Sequence, residues 1–231
     1  MRILITGATG LVGQGVLREC LRAPDVEQVV ALGRRPTGIR HARFDELSCP
    51  DFAEVETVGD RLGRFDACFY CAGAPLVGVS AEAYRHVTLT LTLKVAEAFA
   101  RHNPDGRFLY ISGAHSDPGS RIMVARAKGE AERALAALPI TTVMLRPGGI
   151  RPVEGVRSPH RSLDLLYRLG SPALALGVRL LPGQMTTTAR VARAMLALAR
   201  DTSPPAVVEN DAINRLGREP SPAEAGPYPL S

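Results

Sequence analysis

The sequence predicts an α/β chain built as a doubly wound parallel sheet with helices on both faces. Three observations carry that expectation. Short apolar runs alternate with amphipathic stretches over about the first two hundred residues. The first run, Ile3-Leu4-Ile5, leads straight into the glycine-bearing turn Thr6-Gly7-Ala8-Thr9-Gly10-Leu11-Val12-Gly13 and then a helical pattern at Val16, Leu17, Cys20 and Leu21. Breaking signals, Asn103-Pro104-Asp105-Gly106 and Pro139, fall where helices must give way to strands. Right-handed crossovers between the strands then place helices on both faces.

The elements follow in order. Gln28 to Leu32 reads as the second strand and Ala42 to Phe44 as a short third. A helix lies around Asp51 to Leu62, and Ala67 to Cys71 is the fourth strand. Ser80 is placed to cap a long helix from Ala81 to about His102. Arg107 to Ser112 is the fifth strand, a helix spans about Ser120 to Leu138, and Thr141 to Leu145 is the sixth strand. Pro147 to Thr188 differs in being rich in Pro, Gly and Arg, with one helical piece near Leu163 to Leu169. Ala189 to Arg200 reads as a clean helix and Ala206 to Val208 as a short strand. Arg218 to Ser231 holds four prolines and reads as a loose tail. One domain, residues 1–217, is expected, with 147–188 as its variable substrate-side segment.

Composition narrows the classes. Apolar residues make up 45% of the 231 and charged residues 22%, ordinary for a soluble globular protein. No apolar run approaches the ~20 residues that span a bilayer, and no basic leader precedes the first strand, so a cytoplasmic chain without membrane contact is expected. The net charge of +5 comes without a basic run or aromatic interleaving, which argues against nucleic acid as partner. Cys68 and Cys71 form a Cys-x-x-Cys pair. Residues three apart on a strand point to opposite faces, so a core role is expected rather than a metal or redox pair. Of the 28 basic residues 26 are arginine, and the lysines are Lys94 and Lys128.

A strand, a glycine turn and a helix start are what a dinucleotide pyrophosphate needs. Gly7 permits the tight turn, Gly10 lets backbone approach the phosphates, and Gly13 lets the helix pack closely on the sheet. Thr9, Leu11 and Val12 complete the loop. At the end of the second strand a free ribose hydroxyl calls for Asp or Glu, and a 2′-phosphate for Arg. Gly33-Arg34-Arg35-Pro36 stands there, with no acid before Asp45. Arg34 and Arg35 therefore favour NADP over NAD, with NAD possible; the alternative is that both face solvent beside a turn. Asp45 is a weaker candidate for an adenine edge. Cys71-Ala72-Gly73-Ala74 supplies small residues where a cofactor passes close to backbone.

These residues resemble the short-chain dehydrogenase/reductase superfamily, in particular its atypical and extended members of the NAD-dependent epimerase/dehydratase and Tat-interacting-protein-like kinds. The resemblance covers about Met1 to Arg200. It rests on TGATGLVG, Gly33-Arg34-Arg35, Cys71-Ala72-Gly73, Tyr110-Ile111-Ser112-Gly113, Ala127-Lys128-Gly129-Glu130-Ala131-Glu132 and Leu145-Arg146-Pro147-Gly148. It implies a Rossmann fold and an active site of Ser, Tyr and Lys. Ser112 and Lys128 hold the Ser and Lys positions, and Pro147 and Gly148 line the nicotinamide end. Thr88 falls where many relatives carry Asn. Four residues before Lys128, where the Tyr belongs, stands Val124, which has no proton to give.

Other residues offer themselves. His115 or Tyr167 is a candidate proton source, Lys128 a ribose ligand or half of a surface pair with Glu132, and Ser112 a catalytic hydroxyl or a strand-end cap. Arg151, Arg157, His160 and Arg161 suit an anionic substrate or a solvated loop equally well. The reading that follows is an NADP(H)-dependent oxidoreductase acting on a small organic molecule without the Tyr acid. A non-catalytic NADP-sensing protein is the alternative, and a sugar epimerase a more distant one. A homodimer through the helix from Ala81 is possible.

Overall fold

A computed structural model describes residues 1–74, 78–152 and 183–218. Its centre is a seven-stranded sheet in which every pairing is parallel. The strands are β1 (Arg2–Thr6), β2 (Gln28–Gly33), β3 (Phe44–Ser48), β4 (Ala67–Tyr70), β5 (Arg107–Ile111), β6 (Thr141–Arg146) and β9 (Val207–Glu209), in the order β3-β2-β1-β4-β5-β6-β9. The chain winds outward from β1 in one direction and from β4 in the other. The strand order therefore switches between β1 and β4, where such sheets hold their ligands, at the carboxyl ends of the strands.

Strand alternation divides the core in two. Ile3 and Ile5 of β1, with Val29, Ala31, Phe69 and Leu109, pack against α1 (Leu11–Arg22) and α5 (Thr188–Arg200). Leu4, Val30, Cys68, Tyr70, Phe108 and Tyr110 point the other way. They meet a kinked 3-10 helix (Phe52–Leu62), α3 (Thr92–His102) and α4 (Met123–Leu135). Cys68 lies in this second layer while Cys71 packs against the first, so the Cys-x-x-Cys pair is split by the sheet, as period-two geometry requires. All four cysteines are free thiols.

Boundaries moved in places. β3 runs from Phe44 to Ser48, beyond the expected Ala42 to Phe44, because Phe44 and Leu47 are the buried residues of a mostly polar edge strand. The helix expected from Ser120 starts at Met123 and ends at Leu135. The long helix is interrupted: α2 (Ala81–Arg85), capped by the Ser80 hydroxyl accepting from the Ala83 amide, passes through a π-helical stretch (His86–Leu91) into α3. Three elements were not expected. A small parallel pair, β7 (Gly149–Arg151) and β8 (Met185–Thr187), sits beyond β6, and α6 (Asn210–Leu216) follows β9. The helical piece at 163–169, Arg157, His160, Arg161, Tyr167 and residues 219–231 of the tail lie outside the described residues. Among the described residues no helix is long and apolar enough to cross a membrane.

Candidate functional site

The switch point opens into a cavity of about 630 Å³, within the usual range for a small-molecule site. One wall is the turn after β1. Gly7 has φ +67°, and a Cβ there would lie 2.6 Å from the Ala72 amide nitrogen, so both backbone sign and space require glycine. A Cβ on Gly13 would stand 2.0 Å from the Gly7 carbonyl oxygen, so this glycine lets α1 begin directly against the turn. Gly10 caps α1 without a side-chain hydrogen bond and its α1 first turn contains no acid. The opening amides of the helix, from Leu11 to Gly13, are thus left as donors at its positive end. Gly7, Thr9 and Gly10 line the cavity, while Leu11, Val12 and Gly13 stand behind it.

The second wall comes from β4, where Cys71, Ala72 and Gly73 line the cavity and the Ala72 amide donates to the Thr6 hydroxyl at 3.3 Å. Burial pushes the Cys71 thiol up to about 12, with the nearby Lys128 ammonium pulling it down. The third wall is the end of β2. Arg34, Arg35, Pro36 and Thr37 line it, and both guanidiniums are exposed without a hydrogen bond or ion pair among the described residues. Several other described arginines are committed, Arg2, Arg146 and Arg200 among them. Arg43, from the same basic group, donates to the Leu21, Ala23 and Val26 carbonyls at the end of α1 and so holds the fold.

Sequence reasoning missed several lining residues. Glu46 enters from β3, and its Oε1 accepts from the Thr37 amide at 2.7 Å. Asp51 enters from the cap of the 3-10 helix, its carboxylate accepting from the Ala53 amide. Asp45, the acid singled out in the sequence, instead accepts from Gln28 Nε2 at 2.6 Å and is not part of this lining. The π-helical stretch brings His86, Val87 and Leu91 to the cavity. Thr88, also in this stretch, is buried.

At the end of β5, Ser112 is buried and its Oγ lies 2.9 Å from Ser116 Oγ. Ser116 Oγ also lies 2.7 Å from the Gly113 carbonyl oxygen. Either hydroxyl can be the donor of the Ser112–Ser116 bond, and the Gly113 carbonyl also accepts from the Ser116 amide at 3.2 Å. Lys128 projects from α4, donates to the Ile111 carbonyl at 2.8 Å, and holds its ammonium 4.8 Å from the centre of the Tyr110 ring. Burial lowers the ammonium from 10.5 to about 8, against the opposing pull of Glu132. The surface pair with Glu132 does not form: both Glu132 oxygens are taken by Arg146, at 3.0 and 2.5 Å. Val124 lies in the first turn of α4.

Pro147 and Gly148 line a second hollow of about 590 Å³, shared with His115, Gln184, Glu209 and Asp211. The Gly148 amide donates to Asn210 Oδ1, which fixes the turn after β6. His115 is exposed, with φ at +62°. Among the described residues no cluster of His, Cys, Asp and Glu is arranged for a metal ion.

A sequence model of the NAD dependent epimerase/dehydratase family matches residues 3–121, which contain the turn after β1, both arginines, the β4 wall and Ser112. The chain belongs to that family. It is 29% identical over 136 residues, 56% of this chain, to leucinostatins biosynthesis cluster protein T of Purpureocillium lilacinum. It is 25% identical over 149 residues, 63% of this chain, to protein HTATIP2 of Rattus norvegicus. The chain spans 50% and 61% of the length of those two relatives. Two solved structures share the fold. MoeE5 in complex with UDP-glucuronic acid and NAD has a TM-score of 0.67 at 20% identity, covering 90% of this chain and 75% of its own. A short-chain dehydrogenase from Burkholderia cenocepacia J2315 in complex with NADP has a TM-score of 0.63 at 17% identity, covering 90% and 86%. The chain thus has the NAD(P)-binding fold of this family.

Proposed function

We propose that the chain binds NADP(H) at the β1–β4 switch point and moves hydride to or from a small organic molecule. The observation that carries the cofactor choice is the pair of unpartnered guanidiniums, Arg34 and Arg35, on the wall of the cavity. A guanidinium meets a phosphate with two parallel hydrogen bonds, and an arginine that the fold does not otherwise use is free to do so. The turn from Gly7 to Gly13 and the start of α1 would hold the pyrophosphate, and Cys71 to Gly73 would let the dinucleotide pass close to β4. Lys128 would face the ribose hydroxyls near the nicotinamide, with Ser112 beside it and Pro147 and Gly148 further along. When bound, the cofactor supplies or accepts the hydride.

The residues of the chain explain why a proton acid is not built in the usual way. Val124 has none to give, and the Ser112 hydroxyl is buried and paired with the Ser116 hydroxyl. A substrate that takes its proton from solvent fits this site. The same two facts favour a second reading, an NADP-binding sensor that does not turn over. Oxidation of NADPH by any member of a panel of quinones, flavins and aldehydes supports the oxidoreductase; tight binding with no oxidation supports the sensor.

Calorimetric titration tests the cofactor choice. Wild type should bind NADPH at least about tenfold more tightly than NADH, a gap of about 1.4 kcal/mol, and Arg34→Ala should close most of it. Equal affinities in both proteins would remove the arginines from the site.

A further inference from the structure

The cavity end that carries Arg34 and Arg35 also carries a carboxylate with no counter-ion. Register places Glu46 on β3 opposite Ala31 of β2, two residues short of the Gly33–Ser48 pair that ends the ladder. From there its side chain reaches the cavity wall, where the loop after β2 folds back and the Thr37 amide donates to Oε1. A carboxylate offers about four acceptor positions. This one has a single hydrogen-bond partner and no ion pair among the described residues. Arginine and glutamate thus stand at one end of one cavity without pairing with each other, and each suits a different ligand. A phosphate needs the cations and is repelled by the carboxylate; a vicinal ribose hydroxyl is a donor and needs an acceptor.

We propose that Glu46 sets the cofactor preference of this site: its carboxylate receives the free ribose hydroxyl of NAD(H) and opposes the 2′-phosphate that Arg34 and Arg35 attract. The inference rests on the dinucleotide reading above. It assigns to β3 the acid that the end of β2 lacks. It also makes the chain a site of mixed preference, in which the arginines prevail and the glutamate limits how far.

The second role of Glu46, as anchor for Thr37, separates from the first by choice of variant. Glu46→Gln keeps an oxygen for the Thr37 amide and removes the charge; Glu46→Ala removes both. The full-length chain and these variants are titrated with NADPH and NADH, beside Arg34→Ala. Glu46→Gln should raise the NADPH-to-NADH affinity ratio by about fivefold or more, with tighter NADPH and weaker NADH, because one nearby like charge is removed. Glu46→Ala should move the ratio in the same direction. If Glu46→Gln leaves the ratio within about twofold of wild type while Arg34→Ala lowers it, the inference is overturned and the dinucleotide reading stands. A shift in Glu46→Ala alone also overturns it, since the side chain then acts as a loop anchor. Wild type that binds neither dinucleotide overturns both.

Discussion

Lys128 shows how much one residue's meaning depends on what surrounds it. In sequence it reads as a family lysine or as half of a surface pair with Glu132. In the structure Glu132 belongs to Arg146, and the ammonium rests on the Ile111 carbonyl and the Tyr110 ring. Lys94, by contrast, is exposed on α3. Burial is the main cause of the fall in Lys128 ionisation to about 8. In the unfolded chain the same group keeps its proton to about pH 10.4. Between those values the unfolded state binds the proton that the folded state releases, so this residue makes stability rise with pH across that window. Below about pH 8 both states carry the charge and the folded state bears the whole penalty. Cys20, Cys68 and Cys71, all pushed up, act in the opposite sense above about pH 8.5, where unfolded thiols ionise first. The residue is therefore isolated by comparison with Lys128→Met. In urea unfolding, the stability of wild type minus that of the variant should increase from about pH 7.5 to about pH 9.5. A difference that ignores pH would show an ordinary, solvated lysine.

At the scale of elements, the clearest joint is the end of α3. Asn103 is buried; its Oδ1 accepts from the Phe65 amide at 2.7 Å, and its Nδ2 donates to the Leu62 carbonyl at 2.7 Å and the Phe99 carbonyl at 2.9 Å. One side chain thus closes α3 and fastens the loop that feeds β4. Asn103→Ala leaves the Phe99 carbonyl its bond from the residue-103 amide but strands the Phe65 amide and the Leu62 carbonyl, at a cost of about 1–3 kcal/mol for each group. The melting temperature should fall by about 4–24 °C, measured by calorimetry, at the usual 2–4 °C per kcal/mol for a chain of this size. The sequence announced this stop through Asn-Pro-Asp-Gly, and it announced the buried strands through their apolar runs. It placed β3 too early, at Ala42 to Phe44, since Phe-Asp-Glu-Leu-Ser buries residues three apart on a polar edge strand. It hid β7, β8 and α6, which are too short to carry a period. No residue marks the π-helical stretch that turns His86, Val87 and Leu91 to the cavity. That Gly7, Gly10, Arg34 and Arg35 line the cavity was legible because each sits in a short turn beside a strand end. Glu46 and Asp51 were not, because they reach the cavity only when β3 pairs with β2. Ser116 needed the loop after β5 to fold back on Ser112.

For the whole molecule, the sheet separates what stabilises from what binds. Two apolar layers hold the middle of the strands, while the cavity is confined to their carboxyl ends at the β1–β4 divide. Binding there should therefore add to a fold that stands without it. A ligand at about a hundred times its Kd contributes about 2.7 kcal/mol, so NADPH at that level should raise the melting temperature by about 5–10 °C. Gly10 is where the two properties oppose each other. Its φ of −80° and ψ of 168° are extended backbone that any residue adopts, and a Cβ there would meet only the Gly7 carbonyl oxygen, at 3.2 Å. It is also the N-cap of α1, a position where Asp outdoes Gly by a few tenths of a kcal/mol. The close contact with the Gly7 carbonyl offsets that small gain, so Gly10→Asp should leave the melting temperature of the free protein within about 4 °C of wild type. The new carboxylate, however, takes the helix amides that a pyrophosphate would need and repels its charge. The NADPH-induced rise should vanish in this variant. If Gly10→Asp kept the full rise, the phosphates would have to be held somewhere other than the start of α1.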